Sequence, residues 1–324
     1  MPEMLATRKA YGQALVELGR ENPNVVVLDC DLSKSTMTNQ FAKEFPERFI
    51  NMGIAEANMM ATAAGLAACG KIAFTSTFAV FATGRAWEQA RMSIGYTRMN
   101  VKIAATHAGV TVGEDGASHQ ANEDIALMRV IPNFTVIVPA DAVETRQAVH
   151  AAARHAGPAY IRLGRADVPV IFDDTYRFEI GSAVVMREGT DISLFACGGM
   201  VAEALKAADI LAAEGISAEV VNVSTIKPLD VETIVASVRK TGAAVSAEEH
   251  TIIGGLGGAI SEALAEEYPV PMKRVGIEDC FGESGTSDEL LCKYCMTGPN
   301  IADAARIVLA RKPALSAVEG EAGR

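Results

Sequence analysis

Twice along this chain, short apolar runs rich in β-branched residues alternate with segments of helical pattern. The first series runs through NVVVLD (24–29), IAFTST (72–77), VKIAAT (101–106), TVIVPA (135–140) and AYIRL (159–163). Helix-like stretches lie between them at 56–69, 84–95, 122–130 and 141–155. A strand apolar along its whole length has both faces covered, as happens when helices flank a parallel sheet. The pattern therefore predicts an α/β fold with a doubly wound parallel sheet. The first twenty residues, MPEMLATRKAYGQALVELGR, have the pattern of an amphipathic helix rather than a signal peptide.

The rhythm breaks across 164–191, where prolines and paired aspartates mark a crossing between domains. A second α/β series follows, with strands at ISLFAC (192–197), AEVVNVS (218–224), AAVSAE (243–248) and MKRVGI (272–277). Its helices fall near 200–214, 230–240, 257–267 and 301–311. The expected organisation is one domain over 1–165, a linker over 166–187, a second domain over 188–311, and a disordered tail over 312–324.

Composition narrows the partners. With 49% hydrophobic and 21% charged residues, the chain is a globular one able to bury two cores. A net charge of −11 argues against a nucleic-acid backbone. No apolar run reaches the ~18 residues a membrane span needs. The six cysteines have no disulfide spacing, so a reducing cytoplasm is expected. Cys292 and Cys295 have C-x-x-C spacing but no second ligand pair, and are expected to be ordinary thiols.

Several residues stand out as candidates for chemistry. AEANMMATAAGLAACG (55–70) carries no charge after Glu56. A helix apolar all round is buried on every side, either inside one domain or between subunits. Glu56, at its start, is a first-turn acid favoured by the helix dipole, or a buried carboxyl that shares a proton with a ligand nitrogen. Phe78 and Phe81 follow a strand and are either core or an aromatic wall for a flat heterocycle. THAGVTVGEDGASHQ (106–120) also follows a strand, where open α/β sheets bind ligands. Its glycines allow close backbone approach, and His107, Asp115 and His119 offer bonds to several hydroxyls. Arg162 and Arg165 close another strand, and an arginine fork suits phosphate. GGLGGA (254–259) fails the dinucleotide fingerprint at Ile260 and reads as a helix start packed close to a strand.

Taken in order, DLSKST, FINMGIAEANMMATAAGLA, STFAVF, the 106–145 stretch and EEHTIIGGLGG resemble the transketolase family over residues 5–311. More narrowly, they resemble the C-terminal subunit of split, two-chain transketolases. The resemblance implies a pyrimidine-binding first domain, a transketolase C-terminal second domain, and thiamine diphosphate bound between chains. The family grips the diphosphate and Mg²⁺ through a G-D-G motif followed by an asparagine, and no G-D-G occurs here. A separate N-terminal subunit carrying that motif is therefore an expected partner. Self-association across the small-residue helix is another.

The resemblance also assigns roles. Glu56 matches the glutamate on N1′ of the aminopyrimidine, a contact that turns the cofactor's exocyclic amine into an internal base. Phe81 and Phe78 match the aromatic wall, and Asp31 an aspartate on the cofactor side. His107, Asp115 and His119 match sugar-binding residues; Arg8, Ser35 and Arg165 match phosphate contacts. Arg162 has no counterpart. His107 and His119 are expected to move hydroxyl protons, with ring pKa values in the useful range. Two positions depart from the family: Ala108 follows His107 where an aspartate is usual, and Gly84 replaces a third aromatic. The expected reaction moves a two-carbon ketol unit between sugar phosphates. A deoxyxylulose-phosphate-synthase-like enzyme, a 2-oxo-acid dehydrogenase β-like subunit and a non-catalytic scaffold remain alternatives.

Overall fold

A computed structural model describes residues 3–312. The tail expected over 312–324 falls outside the described residues except for Lys312, whose Nζ donates to the Asp191 carbonyl at 3.2 Å. Two sheets carry the α/β architecture. The first has seven strands in the spatial order Thr225–Lys227, Thr135–Ile137, Ala159–Arg162, Val101–Thr106, Ile72–Phe78, Val25–Asp29 and Phe49–Asn51. All pairings inside it are parallel except that of Thr225–Lys227. Every strand of Val25–Asp29 type is buried along its length because alternate side chains enter two different cores. Val25 and Val27 pack with Tyr11, Leu15 and Phe41 under helices Thr7–Glu21 and Ala142–Arg154. Val26 and Leu28 pack on the opposite face with Met59, Met60 and Ile94.

The second sheet has five strands in the order Met272–Ile277, Ala244–Thr251, Ile192–Ala196, Ala218–Asn222 and Val184–Arg187. Only the edge strand Val184–Arg187 runs antiparallel. Helices Met200–Ala213, Val231–Thr241, Leu256–Glu267 and Gly298–Leu309 cover it. The GGLGGA stretch starts the third of these helices. A Cβ on Gly255 would collide with the Glu248 carboxylate, which accepts from the backbone N–H of Leu256 (2.7 Å) and Gly257 (2.8 Å). The glycines there serve helix-to-strand packing, with a carboxylate capping the first turn.

Three features depart from the periodicity. Thr225–Lys227 comes from the second series yet closes the edge of the first sheet against Thr135–Ile137. Within 166–187, Asp167–Pro169 pairs with Met4–Ala6, and Val184–Arg187 joins the second sheet. The helix expected over 84–95 is broken into wide π turns, Phe81–Arg85 and Ala90–Tyr96, around Trp87–Gln89. Such bulges cluster at functional sites. The small-residue helix, Glu56–Ala68, is not covered on every side within this chain. Met59, Met60, Ala63 and Ala64 are buried, while Asn58, Ala61, Gly65 and Ala68 face outward. That opposite face carries only small side chains and one asparagine, so it leaves little apolar area in water.

Candidate active site at the carboxyl edge of the first sheet

Parallel strands end on one edge, so the segments after Val25–Asp29, Phe49–Asn51, Ile72–Phe78, Val101–Thr106 and Ala159–Arg162 all meet there. These segments carry Asp31 and Ser35, Glu56, Phe78 and Phe81, the 106–120 loop, and Arg165. Arg8 comes from the first turn of Thr7–Glu21, whose preceding strand is bound to the chain just after Arg165.

Glu56 is only 4% exposed. Its Oε1 meets Nη1 of Arg85 at 3.2 Å, and the Arg85 guanidinium lies over the Phe81 ring, 4.1 Å from its centroid. Arg85 is the neighbour of Gly84, and the direction in which a Gly84 Cβ would point is open space. The missing third aromatic thus leaves the wall with a cation stacked on its half-exposed phenylalanine. Phe78 stacks on Phe81 (5.8 Å, 13°) and more closely on His107 (3.8 Å, 19°). His119 meets both rings edge-on, at 6.1 and 5.5 Å. Its Nδ1 lies 2.9 Å from Ser118 Oγ.

His107 departs from the expected proton-transfer role in one respect. Burial, then the charges of Arg8, Arg165 and His119, lower its pKa to about 3. It is therefore a neutral imidazole at working pH, with Nδ1 2.8 Å from Thr106 Oγ1. The useful-range expectation does not hold for this ring. It is a hydrogen-bonding group set in a cationic surround, at φ +59° where the chain turns off its strand.

Arg8 donates through Nη1 to the Ser35 carbonyl at 2.8 Å, and its buried Nε has no partner. Burial and the nearby Arg165 depress its pKa, marking two guanidiniums close together. Arg165 bonds Val112 O and pairs with Glu114 at 2.9 Å. Asp115 is exposed at the end of the Val110–Asp115 turn. Asp31 is exposed and accepts from Asn51 Nδ2 at 3.1 Å, apart from the Glu56–Phe81–His107 run of contacts. Arg162 is spent elsewhere: it is buried against Asp124 at 2.8 Å and donates to the carbonyls of Ala121 and Glu249. Arg85 was not singled out by sequence, and its only signal was its place beside Gly84.

These residues offer what an anionic sugar and a flat heterocycle require. An orphaned buried guanidinium nitrogen fits a phosphate. A nearly buried carboxylate beside an aromatic face fits an aminopyrimidine. Among the described residues no three His, Cys, Asp or Glu side chains gather as metal ligands would, and no helix is long and apolar enough to cross a membrane.

Comparison with known proteins gives two family matches and several relatives along the chain. The family described as "Transketolase, pyrimidine binding domain" matches residues 3–170, and "Transketolase, C-terminal domain" matches residues 181–301. A protein of Methanocaldococcus jannaschii described as a transketolase C-terminal section is 51% identical over 91% of this chain and 93% of its own length. The 6-deoxy-6-sulfo-D-fructose transketolase subunit SqwH of Clostridium sp. is 44% identical over 94% and 95%. A solved structure described as a split gene transketolase, inactive β4 tetramer, superposes with a TM-score of 0.90 at 58% identity, covering 95% of this chain and 99% of that one. The transketolase of Campylobacter jejuni superposes at 0.80 and 25% identity, with 94% of this chain covering 46% of that one.

Proposed function

The chain belongs to the transketolase family, and on that premise we propose that it is the C-terminal subunit of a two-chain transketolase. With a separate N-terminal subunit it moves a two-carbon ketol unit from a ketose phosphate to an aldose phosphate. The observation that carries this is the Glu56 carboxylate, sunk beside the Phe78–Phe81 stack at the edge where His107, His119 and Arg8 converge. Coverage supports the division into chains. This chain spans 93% of the transketolase C-terminal section and 95% of the SqwH subunit, but 46% of the transketolase of Campylobacter jejuni. We take 1–165 as the pyrimidine-binding unit and 188–311 as the C-terminal unit, with the joining stretch 166–187 lending Val184–Arg187 to the second sheet.

Glu56 holds the ring nitrogen of thiamine diphosphate, with Phe78 and Phe81 as its wall and Asp31 on the cofactor side. When bound, the cofactor supplies the nucleophilic carbon that carries the two-carbon unit. The partner's G-D-G…N motif holds its diphosphate and Mg²⁺. Arg8, Ser35 and Arg165 seat the substrate phosphate in a locally cationic pocket despite the acidic chain. Neutral His107, with Asp115 and His119, binds the sugar hydroxyls, and His119 moves their protons. The cytoplasm is its place, where six unpaired thiols persist.

Co-expression with the partner chain, followed by assay with xylulose 5-phosphate and an aldose phosphate, tests this. Turnover is expected from the pair and none from this chain alone. Glu56→Ala in the pair is expected to fold and to lose at least ~10²-fold in turnover. Full activity in that variant, or use of pyruvate in place of the ketose, overturns the assignment.

A further inference from the structure

The second domain supplies none of the groups placed at the carboxyl edge, yet it grips the substrate loop at one residue, Thr111. The Thr111 backbone N–H donates to Oε1 of Glu249 at 2.7 Å. Ser287 Oγ donates to the Thr111 carbonyl at 3.0 Å. Both backbone polar groups of one loop residue are thus held by side chains 138 and 176 residues away. A Cβ on Gly109 would collide with the Glu249 carboxylate, so the glycine is what lets that carboxylate reach the loop. Nearby, Gln120 Nε2 donates to Val110 O (3.1 Å) and to Glu283 O (2.9 Å). Arg162 joins the loop's far end to the strand of Glu249 through Ala121 O (3.3 Å) and Glu249 O (2.8 Å).

We infer that Glu249 is a positioning residue through which the second domain sets the conformation of the 106–120 loop, and with it His107, Asp115 and His119. It touches neither substrate nor cofactor. A carboxylate makes a shorter and stronger bond to a backbone N–H than a neutral oxygen does. Glu249 is part-buried on Ala244–Thr251, a strand held by two parallel neighbours through Ala247 and by Ile277 again at Thr251, so the acceptor belongs to the second sheet and not to the loop. A loop with three positive-φ glycines, at 109, 113 and 116, has many alternative conformations. Removing the anchor should release the loop without unfolding either sheet.

The part of this concerning sugar binding rests on the transketolase reading; the part concerning loop order does not. Hydrogen exchange of the isolated full chain therefore comes first. In Glu249→Ala, exchange across 109–116 should quicken about tenfold or more, as expected when a charge-assisted bond is lost. Strand Ala244–Thr251 and helix Leu256–Glu267 should keep their protection. Glu249→Gln, which retains an oxygen acceptor, should stay near the wild type. Ser287→Ala, which removes the opposite contact from a part-buried position, should quicken the same peptide to a lesser degree. In the co-expressed pair, Glu249→Ala should raise KM for xylulose 5-phosphate about tenfold, with thiamine diphosphate affinity unchanged and rescue by Gln. Unchanged exchange in both the Glu249→Ala and Ser287→Ala variants overturns the inference. So does protection lost across both sheets in Glu249→Ala while Ser287→Ala matches the wild type. Should Glu56→Ala keep full turnover while the loop loosens as stated, the functional reading fails and the positioning role stands.

Discussion

Burial and the cations around His107 lower its pKa to about 3, against an ordinary value near 6.5. The folded protein therefore binds that proton less readily than the unfolded chain. The stability this contributes is complete above ~6.5 and drains as pH falls toward 3, by up to about 1.4 kcal/mol per pH unit. His107→Asn keeps a residue tolerant of φ +59° but removes the titration. Denaturant midpoints of the two proteins should converge as pH drops from 7 to 4.5, and parallel curves would count against a neutral His107. Glu56 and Arg85 show a different limit of residue-level reasoning. The sequence exposes Gly84 as a gap in the aromatic wall, but only the structure shows the adjacent guanidinium lying on Phe81 and meeting Glu56.

At the scale of elements, Val101–Thr106 is the strand that bears the 106–120 loop, and it holds a lysine with no exposed surface. Lys102 Nζ donates to the carbonyls of His155 (2.8 Å) and Gly157, just past the end of helix Ala142–Arg154. The amine caps the negative end of that helix. Burial lowers its pKa from 10.5 to about 7. Folding therefore favours the neutral amine, and the associated stability is present above ~10.5 and lost as pH falls through 7. Relative to Lys102→Met, the wild type should gain on the order of 1–3 kcal/mol between pH 7 and 9.5. Urea titrations at the two pH values measure it, and a constant difference would refute the buried-amine account. The apolar run around this lysine was readable as a strand; the carbonyls that satisfy it, more than fifty residues on, were not.

At the scale of the whole molecule, the chain leaves an open face on helix Glu56–Ala68, lined by Asn58, Ala61, Gly65 and Ala68. Glu56 begins this helix, so self-association there would enclose the candidate cofactor site. Ala61→Lys places a solvated cation on that face without touching the core. It is expected to lower the sedimentation coefficient of the purified chain to that of a monomer, while circular dichroism stays native. Unchanged assembly would move the interface elsewhere. The two sheets are themselves bound together: Thr225–Lys227 closes the first sheet, and Phe195 and Val221 of the second share a core with Val136 and Ile103. Removing the second domain would therefore open the first.

Periodicity determined the α/β class and most strands and helices, because a buried parallel strand and an amphipathic helix each repeat over neighbouring residues. Motif order carried Glu56, Phe81, the 106–120 loop and Arg165 to one edge of the first sheet, because parallel strands bring their carboxyl ends together. Tertiary structure alone decided which arginine is buried against a carboxylate and which is paired at the surface, for Arg162 and Arg165 stand three residues apart and differ in what surrounds them. It alone set the neutral state of His107, the grip of Glu249 on Thr111 and the crossing of Thr225–Lys227 between sheets. Each of these depends on desolvation or on contacts between distant segments, and such interactions leave no repeat in the order of residues.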